Sequence, residues 1–176
     1  MTLREIRGLF EYDAWATERT LEPVSTLPDR TYHEDLKSSH GGIHGTLVHI
    51  YSADMIWLRR WSGSSPNPIA PGDVPDLETL TTRWREYHGE MDRLLSGLGD
   101  AALVEPFAYT DPRGNRQSDP LFHQMLQLLT HSSYHRGQVV TMLRQVGGKP
   151  VGTDLITFYR TRPTRSLRET LEGQNY

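Results

Sequence analysis

The chain has 176 residues, with 19 Lys and Arg against 22 Asp and Glu and a formal net charge of −3. This length suits one domain with a sizeable core, and the scattered basic residues argue against binding to nucleic acid or to an anionic membrane surface. No run of 18 apolar residues and no secretion signal is present, so we expect a cytoplasmic protein. The chain contains no cysteine, which excludes disulfides, a cysteine nucleophile and cysteine-ligated metals. Any thiol chemistry would therefore need a small-molecule thiol.

Apolar residues at helical spacing predict four long helices, and the first two have recognisable boundaries. Residues 2–5 (TLRE) have the pattern of a capping box, which begins a helix, and Pro23 and Pro28 mark the end of that helix. The second helix is predicted over about 39–61. Its first turn contains three glycines, each of which costs about 1 kcal/mol relative to alanine: Gly41, Gly42 and Gly45.

The other two helices and the connections predict the topology. Asp76 is a good N-cap for the third helix, and Asp119-Pro120 is predicted to begin the fourth, which ends at 147–148. The link 62–75 can span roughly 40 Å when extended, whereas a 22-residue helix is about 33 Å long. It can therefore return along the bundle and leave helices two and three parallel. Residues 105–118 have the pattern of a short hairpin.

These elements predict an all-α fold. We expect a four-helix bundle with a long crossover between helices two and three and a small β-hairpin between helices three and four. The predicted domain covers residues 1–162. Residues 163–176 form a polar C-terminal tail without a core pattern.

Two histidines one helical turn apart carry the main functional signal. In HSSYHRGQ, His131 and His135 are four positions apart, so they lie on one face of the fourth helix with Cβ atoms about 5–6 Å apart. That face is the apolar stripe, so both imidazoles should point to the interior, where polar groups need partners. A shared metal ion is one such partner, although a pair at this spacing also arises by chance.

A metal site needs a third ligand, and His49 is the best candidate. It lies near the middle of the second helix beside the apolar stripe, and bundles build metal sites from side chains that project inward from facing helices. Three neutral imidazoles leave the metal its full 2+ charge and an open position, which lowers the pKa of bound water and stabilises a bound thiolate. Imidazole ligands suit zinc, nickel, copper and iron alike.

The remaining histidines are predicted to have other roles. His40 and His44 form a second pair, but they lie in the glycine-rich helix start, about 140–180° around the helix from His49. We expect a capping or rim feature there. Three further histidines have no partner at ligand spacing and are expected at the surface or in hydrogen bonds: His33, His88 and His123.

Several enzyme classes lack their motifs in this chain. Residues 132–134 are Ser-Ser-Tyr, so the histidine pair lacks the glutamate of H-E-x-x-H peptidases. The Glu-x-x-His motif of di-iron bundles is absent, as are the nucleophile elbow, the phosphate-binding loop and the dinucleotide fingerprint. Of the enzyme mechanisms considered, only chemistry assisted by a single metal ion remains.

Four motifs in order resemble the DinB/YfiT-like superfamily of metal-dependent bundle proteins over about residues 1–160. They are EYDAWATER at 11–19, HGTLVHIYSADMIWLRRW at 44–61, HSSYHRGQ at 131–138 and PVGTDLITFYR at 150–160. The chain departs from the family pattern at three positions. Asp13 and Thr17 stand where asparagines are common, and Tyr134 stands where a further histidine is frequent.

The resemblance implies a four-helix bundle, a homodimer and a zinc or nickel site whose ligands fall on His49, His131 and His135. Characterised members use the metal to activate a low-molecular-weight thiol for S-transfer or isomerisation, with a small-molecule substrate. By that resemblance the chain is a metal-dependent thiol transferase or isomerase.

Two alternatives remain open from the residues. One is a metal-water hydrolase, for which Asp54 or Asp154 would have to act as the base. The other is a non-catalytic, stress-related bundle whose metal only ties helices two and four together, as closed four-ligand sites do.

Helix phase and position in the sequence also suggest roles for residues other than the proposed metal ligands. Arg136 lies about 100° from His135 around the helix, so we expect it to brace a neighbouring helix or the C-terminal segment. Four residues are candidates for a substrate pocket: Tyr12, Trp15, Trp57 and Asp154.

Overall fold

The computed structural model describes residues 1–111 and 113–161, and within them seven helices and one hairpin. The long helices are α1 (Leu3–Val24), α3 (Ile43–Trp61), α4 (Leu77–Ser96) and α6 (Leu121–Gln145). The shorter ones are α2 (Asp29–Tyr32), α5 (Asp100–Val104) and α7 (Leu155–Thr161), and a 3-10 turn covers Pro71–Asp73. The hairpin pairs β1 (Pro106–Thr110) with β2 (Arg116–Pro120) in antiparallel register.

The predicted fold class is confirmed, and two helix starts agree with the sequence signals. Thr2 and Glu5 form the reciprocal capping box at α1. Asp76 accepts a hydrogen bond of 2.7 Å from the backbone N–H of Thr79 at the start of α4. The chain passes Pro23 within the last turn of α1 and leaves the helix after Val24.

Two other predicted helix starts are wrong. Residues 38–41 form a tight turn with a backbone bridge between Ser38 and Gly41, so α3 begins at Ile43 instead of near 39. Gly41 has a φ of +81°, a left-handed conformation that glycine adopts without strain. Asp119 pairs with Phe107 in the hairpin instead of capping α6, whose N-cap is Pro120 without a side-chain hydrogen bond.

Helices α3 and α4 run parallel, as the long link predicts. Contacts advance in the same direction along both: His44 bonds to the carbonyl of Val74, Asp54 to Trp84, and Arg59 to Glu90. Between α3 and α6 the order is reversed. His49 meets His131, while Trp61, twelve positions later, bonds to Gln124 near the start of α6.

The core lies between these four helices, and buried apolar residues from all of them form one cluster. Gln124 connects that core to the hairpin, because its amide donates to the carbonyls of Phe107 and Asp119 and accepts from the indole of Trp61. The predicted tail 163–176 lies outside the described residues. Within the described part of the chain, no helix is both long and apolar enough to cross a membrane.

A histidine cluster as candidate metal centre

The antiparallel contact between α3 and α6 brings His49, His131 and His135 together. The ring centroid of His49 lies 4.9 Å from that of His131 and 4.5 Å from that of His135, and the last two are 4.4 Å apart. The Nε2 atoms of His49 and His131 approach to 3.0 Å. One turn of α6 supplies two imidazoles and the facing turn of α3 supplies the third.

A fourth imidazole, His40, belongs to the same cluster. Its ring is stacked on that of His49 with centroids 3.8 Å apart and an interplanar angle of 15°, and its centroid is 5.2 Å from that of His135. The potential ligand atoms of His40, His49 and His135 all lie within 4.8 Å of one another. The prediction of a rim position for His40 is therefore wrong.

The error came from treating His40 as helical. Because α3 begins at Ile43, the angle of 140–180° around a helix does not apply to a residue in the preceding turn. His44 does lie at the rim: its Nε2 contacts the carbonyl oxygen of Val74 over 2.7 Å. The glycines around His40 are the signal in the sequence that could have indicated a special backbone there.

Burial favours the neutral form of three cluster histidines, which are His40, His49 and His131. It is the main cause that lowers the pKa of His49 and of His131 to about 4, and the neighbouring imidazoles lower both pKa values further. Burial also lowers the pKa of His40, with His135 contributing. At neutral pH these rings therefore carry a free lone pair, which a metal ion requires of an imidazole ligand.

Gln138 fixes the orientation of His135. The Nδ1 of His135 lies 2.8 Å from Oε1 of Gln138, one turn along α6. If that nitrogen carries the proton, as an amide oxygen acceptor requires, the lone pair is on Nε2. Histidine ligands in metal sites are commonly held in this way by a second hydrogen-bonding group. The Nδ1 of His131, in contrast, is buried and has no hydrogen-bond partner among the described residues.

The residues present fit a divalent transition metal. Zn–N bonds of about 2.0–2.1 Å place two ligand nitrogens of a tetrahedral site about 3.3 Å apart, close to the 3.0 Å between His49 and His131. An all-nitrogen donor set suits zinc, nickel and copper better than calcium or magnesium. The cluster is thus consistent with a three-histidine site, and the assignment of individual ligands and of the metal stays a prediction.

Arg136 braces α6 against α1, as the sequence predicts. Its Nη1 donates to Oδ1 of Asp13 over 2.5 Å, and both side chains are almost completely buried. Asp13 and the adjacent carboxyl of Asp54 both raise the pKa of Arg136, which burial alone would lower. Arg136 directly follows His135, so the ion pair anchors the turn of α6 that carries the cluster.

Asp54, one of the two candidate bases, is buried in the core, and its carboxyl contacts other core residues there. Its carboxylate accepts from the indole of Trp84 over 2.9 Å and lies 3.4 Å from the hydroxyl of Ser132. Burial, and to a smaller extent Asp13, raise the pKa of Asp54 well above its ordinary value. The other proposed base, Asp154, uses its backbone carbonyl to accept the N–H groups of Thr157 and Phe158 at the start of α7.

The aromatic pocket candidates pack against other elements. Tyr12 and Trp15 contact Phe158 of α7, and the hydroxyl of Tyr12 donates to the carbonyl of Thr153, which ties the closing segment to α1. Trp57 packs against Tyr109 of the hairpin, with centroids 5.0 Å apart. These contacts assign the three residues to packing.

The three histidines outside both pairs have different environments. His33 is hydrogen-bonded to the carbonyls of Asp29 and Pro75, and His123 is exposed, as predicted for each. His88 is different: its Nε2 is buried and has no partner within the described residues. It borders two cavities of about 350 and 200 Å³ between α1 and α4, and no cluster histidine lines either of them.

Comparison with known proteins relates the chain to one family. A family model described as the DinB family matches residues 2–168. The Protein DinB of Bacillus subtilis (strain 168) is 24% identical over 157 residues, which cover 83% of this chain and 88% of that protein. The crystal structure of a DinB-like protein from Bacillus cereus ATCC 10987 aligns with a TM-score of 0.58 at 19% identity, over 86% of this chain and 97% of that one. The structural likeness shows a shared fold, and the family match, which spans most of the sequence, shows that this chain belongs to the DinB family.

Proposed function

We propose that this protein binds one divalent metal ion, zinc or nickel, through His49, His131 and His135. The observation that carries the proposal is the convergence of three buried or half-buried imidazoles from two helices, with ring centroids 4.4 to 4.9 Å apart. The lowered pKa values of His49 and His131 keep the lone pairs of these two rings available at neutral pH. The amide of Gln138 and the ion pair of Arg136 hold this part of α6 in place.

The finer proposal is that the site activates a low-molecular-weight thiol for S-transfer or isomerisation of a small electrophilic substrate. When bound, the metal supplies a Lewis acid that lowers the pKa of a coordinated thiol. The thiol proton passes to solvent, and the sulfur then forms a bond to an electrophilic carbon of the substrate. In S-transfer a leaving group departs from that carbon with its electron pair, whereas in isomerisation a π bond of the substrate accepts the electrons and re-forms when the thiolate is expelled. The family resemblance supports this proposal, and so does a chain that has no cysteine of its own. A homodimer is part of the same proposal.

The histidines have a defined role in this chemistry. Because they are neutral, they add no negative charge and leave the full charge of the ion to act on the thiol. Among the described residues, the group of side chains that could hold a metal consists of His40, His49 and His135 and contains no acidic residue. Such a site favours an anionic fourth ligand, and a thiolate is one.

A purely structural metal is the second candidate. The observation that favours it is His40, which could supply a fourth nitrogen and close the coordination shell, as in structural zinc sites. Hydrolysis by metal-bound water has less support, because the carboxylate of Asp54 is bonded to Trp84 in the core.

Elemental analysis tests the metal proposal. The native chain, purified without metal-affinity resin, should contain about one zinc or nickel per molecule. His49→Ala and His131→Ala should lose it, whereas the control His123→Ala, an exposed histidine on the same helix, should retain it. A wild-type protein without metal, or variants that keep it, would overturn the assignment. Thiol consumption in the presence of an electrophile, with and without metal, then separates the catalytic from the structural candidate.

A further inference from the structure

The glycine-rich segment at 41–45 has a structural purpose that metal binding by the three helical histidines does not explain. A Cβ atom on Gly45 would lie 2.0 Å from the carbonyl oxygen of His40, and one on Gly42 would lie 2.0 Å from that of Glu34. Real Cβ atoms do not approach backbone that closely. The two glycines therefore let the turn around His40 lie directly against the first turn of α3.

This backbone arrangement brings the His40 ring to the cluster. The ring stacks on His49 at 3.8 Å, and its potential ligand atom lies within 4.8 Å of those of His49 and His135. Nothing in the roles of the three helical histidines requires an imidazole at this position.

We propose that His40 is a fourth ligand of the metal and that it leaves the metal when a small thiol binds. This inference rests on the proposed metal site. The other three histidines are held by long helices, whereas His40 is carried by a turn. In the structure its ring is nearly parallel to His49, and two parallel rings cannot both direct an in-plane lone pair at one ion. To bind the same ion as His49, the His40 ring has to leave this stacked orientation, and a tilt of its side chain towards His135 would bring its lone pair to the ion.

The tilt involves a small movement. Two nitrogens on a tetrahedral zinc are about 3.3 Å apart, so the nitrogen of His40 must move by roughly 1–2 Å. Rotation about side-chain bonds provides such a shift without moving α3 or α6. Structural zinc sites have four protein ligands, whereas catalytic zinc sites have three and keep one coordination position open. Binding and release of His40 would therefore switch this site between a structural and a catalytic form.

Cobalt titration of the full chain tests the inference, because Co²⁺ replaces zinc and reports its ligands by absorption. Two variants remove the contribution of His40: His40→Ala deletes the ring, and Gly45→Ala displaces the backbone that carries it. His44→Ala is the matched control in the same segment, since its ring contacts Val74 instead of the cluster. For each protein the affinity for Co²⁺ and then for 2-mercaptoethanol is measured.

The two affinities should change in opposite directions. His40→Ala and Gly45→Ala should bind Co²⁺ about 10 to 100 times more weakly, in the range that loss of supporting groups produces at metal sites. Both should bind 2-mercaptoethanol at least about tenfold more tightly, because the thiol no longer competes with His40. General damage to the fold would weaken both affinities together. His44→Ala should match the wild type.

Each other outcome has a separate meaning. If the wild type binds no Co²⁺, both the metal site and the role of His40 are wrong. If Co²⁺ binds and is lost in His49→Ala but His40→Ala has unchanged affinities, the metal site stands and His40 is not a ligand. If His40→Ala weakens Co²⁺ binding without tightening thiol binding, His40 is a permanent ligand and the proposed release is wrong.

Discussion

The buried ion pair between Asp13 and Arg136 leads to a quantitative prediction about stability. The two charged groups are 2.5 Å apart, and the side chains are 5% and 3% exposed, so water screens them little. Removing one partner leaves the other charge buried and uncompensated, which costs about 3–5 kcal/mol. Asp13→Leu and Arg136→Met should each lower the free energy of unfolding by that amount, and the melting temperature by roughly 6–20 °C for a chain of this length.

The double variant distinguishes this explanation from a loss of packing. Replacing both partners with apolar residues of similar volume removes the charges together, so its stability should lie within about 1 kcal/mol of the wild type. Urea denaturation followed by circular dichroism would give the four stabilities of the double-mutant cycle. Asp13→Asn, which keeps an oxygen to accept from Arg136, should cost less than Asp13→Leu. Additive losses in the double variant would refute the reasoning.

Three further changes test other contacts. Asp54→Asn keeps an acceptor for Trp84 and should stabilise the protein increasingly as the pH rises above the ordinary aspartate pKa of about 4. The reason is that the folded-state pKa of the wild-type carboxyl is raised, so the stability that its neutral form contributes is lost as the pH rises through the folded-state pKa. Each unit of pKa difference corresponds to about 1.4 kcal/mol, and urea titrations at pH 5 and 8 would reveal it; a pH-independent difference would contradict the prediction. Gln124→Ala should cost about 2–3 kcal/mol, since two hydrogen bonds to the hairpin and one from the indole of Trp61 are lost, and should speed amide exchange in β1 and β2. Thr2→Ala removes the cap of α1 and should cost about 1 kcal/mol in thermal denaturation, while an unchanged melting temperature would mean that the cap contributes nothing.

The sequence was sufficient to predict the long helices and their order, because each buries one face and so repeats apolar residues at helical spacing. The length of the link 62–75 allowed the parallel run of α3 and α4, and the family resemblance implied the same long connection. The three short helices were not predicted: α2, α5 and α7. With four to seven residues each, they are too short to show a period, and packing against the long helices determines them.

Membership of the histidine cluster could be predicted only for residues within the long helices. Helical phase placed His131 and His135 on the interior face of α6 and indicated His49 as the third member. His40 was missed because its position depends on a tight turn and on the close approach of backbone at Gly45, and neither is periodic. Asp119 was assigned to the wrong element for a similar reason: its local pattern suits a helix cap, but pairing with Phe107 in the hairpin prevailed.

Charge supports the proposal that an anionic ligand such as a thiolate displaces His40. Four imidazoles would leave a net charge of 2+ in a partly buried site, because the metal-binding group among the described residues contains no carboxylate. Water in place of His40 leaves the net charge of the site at 2+, whereas a thiolate reduces it to 1+. A buried charge costs more free energy than an exposed one, so this reduction matters more the less the site is exposed to solvent. The nearest buried carboxyls do not offset the charge, since Asp13 is paired with Arg136 and the pKa of Asp54 is raised, which favours its neutral form. On the proposed metal site, this charge balance would favour an anionic fourth ligand, such as a thiolate, over neutral water.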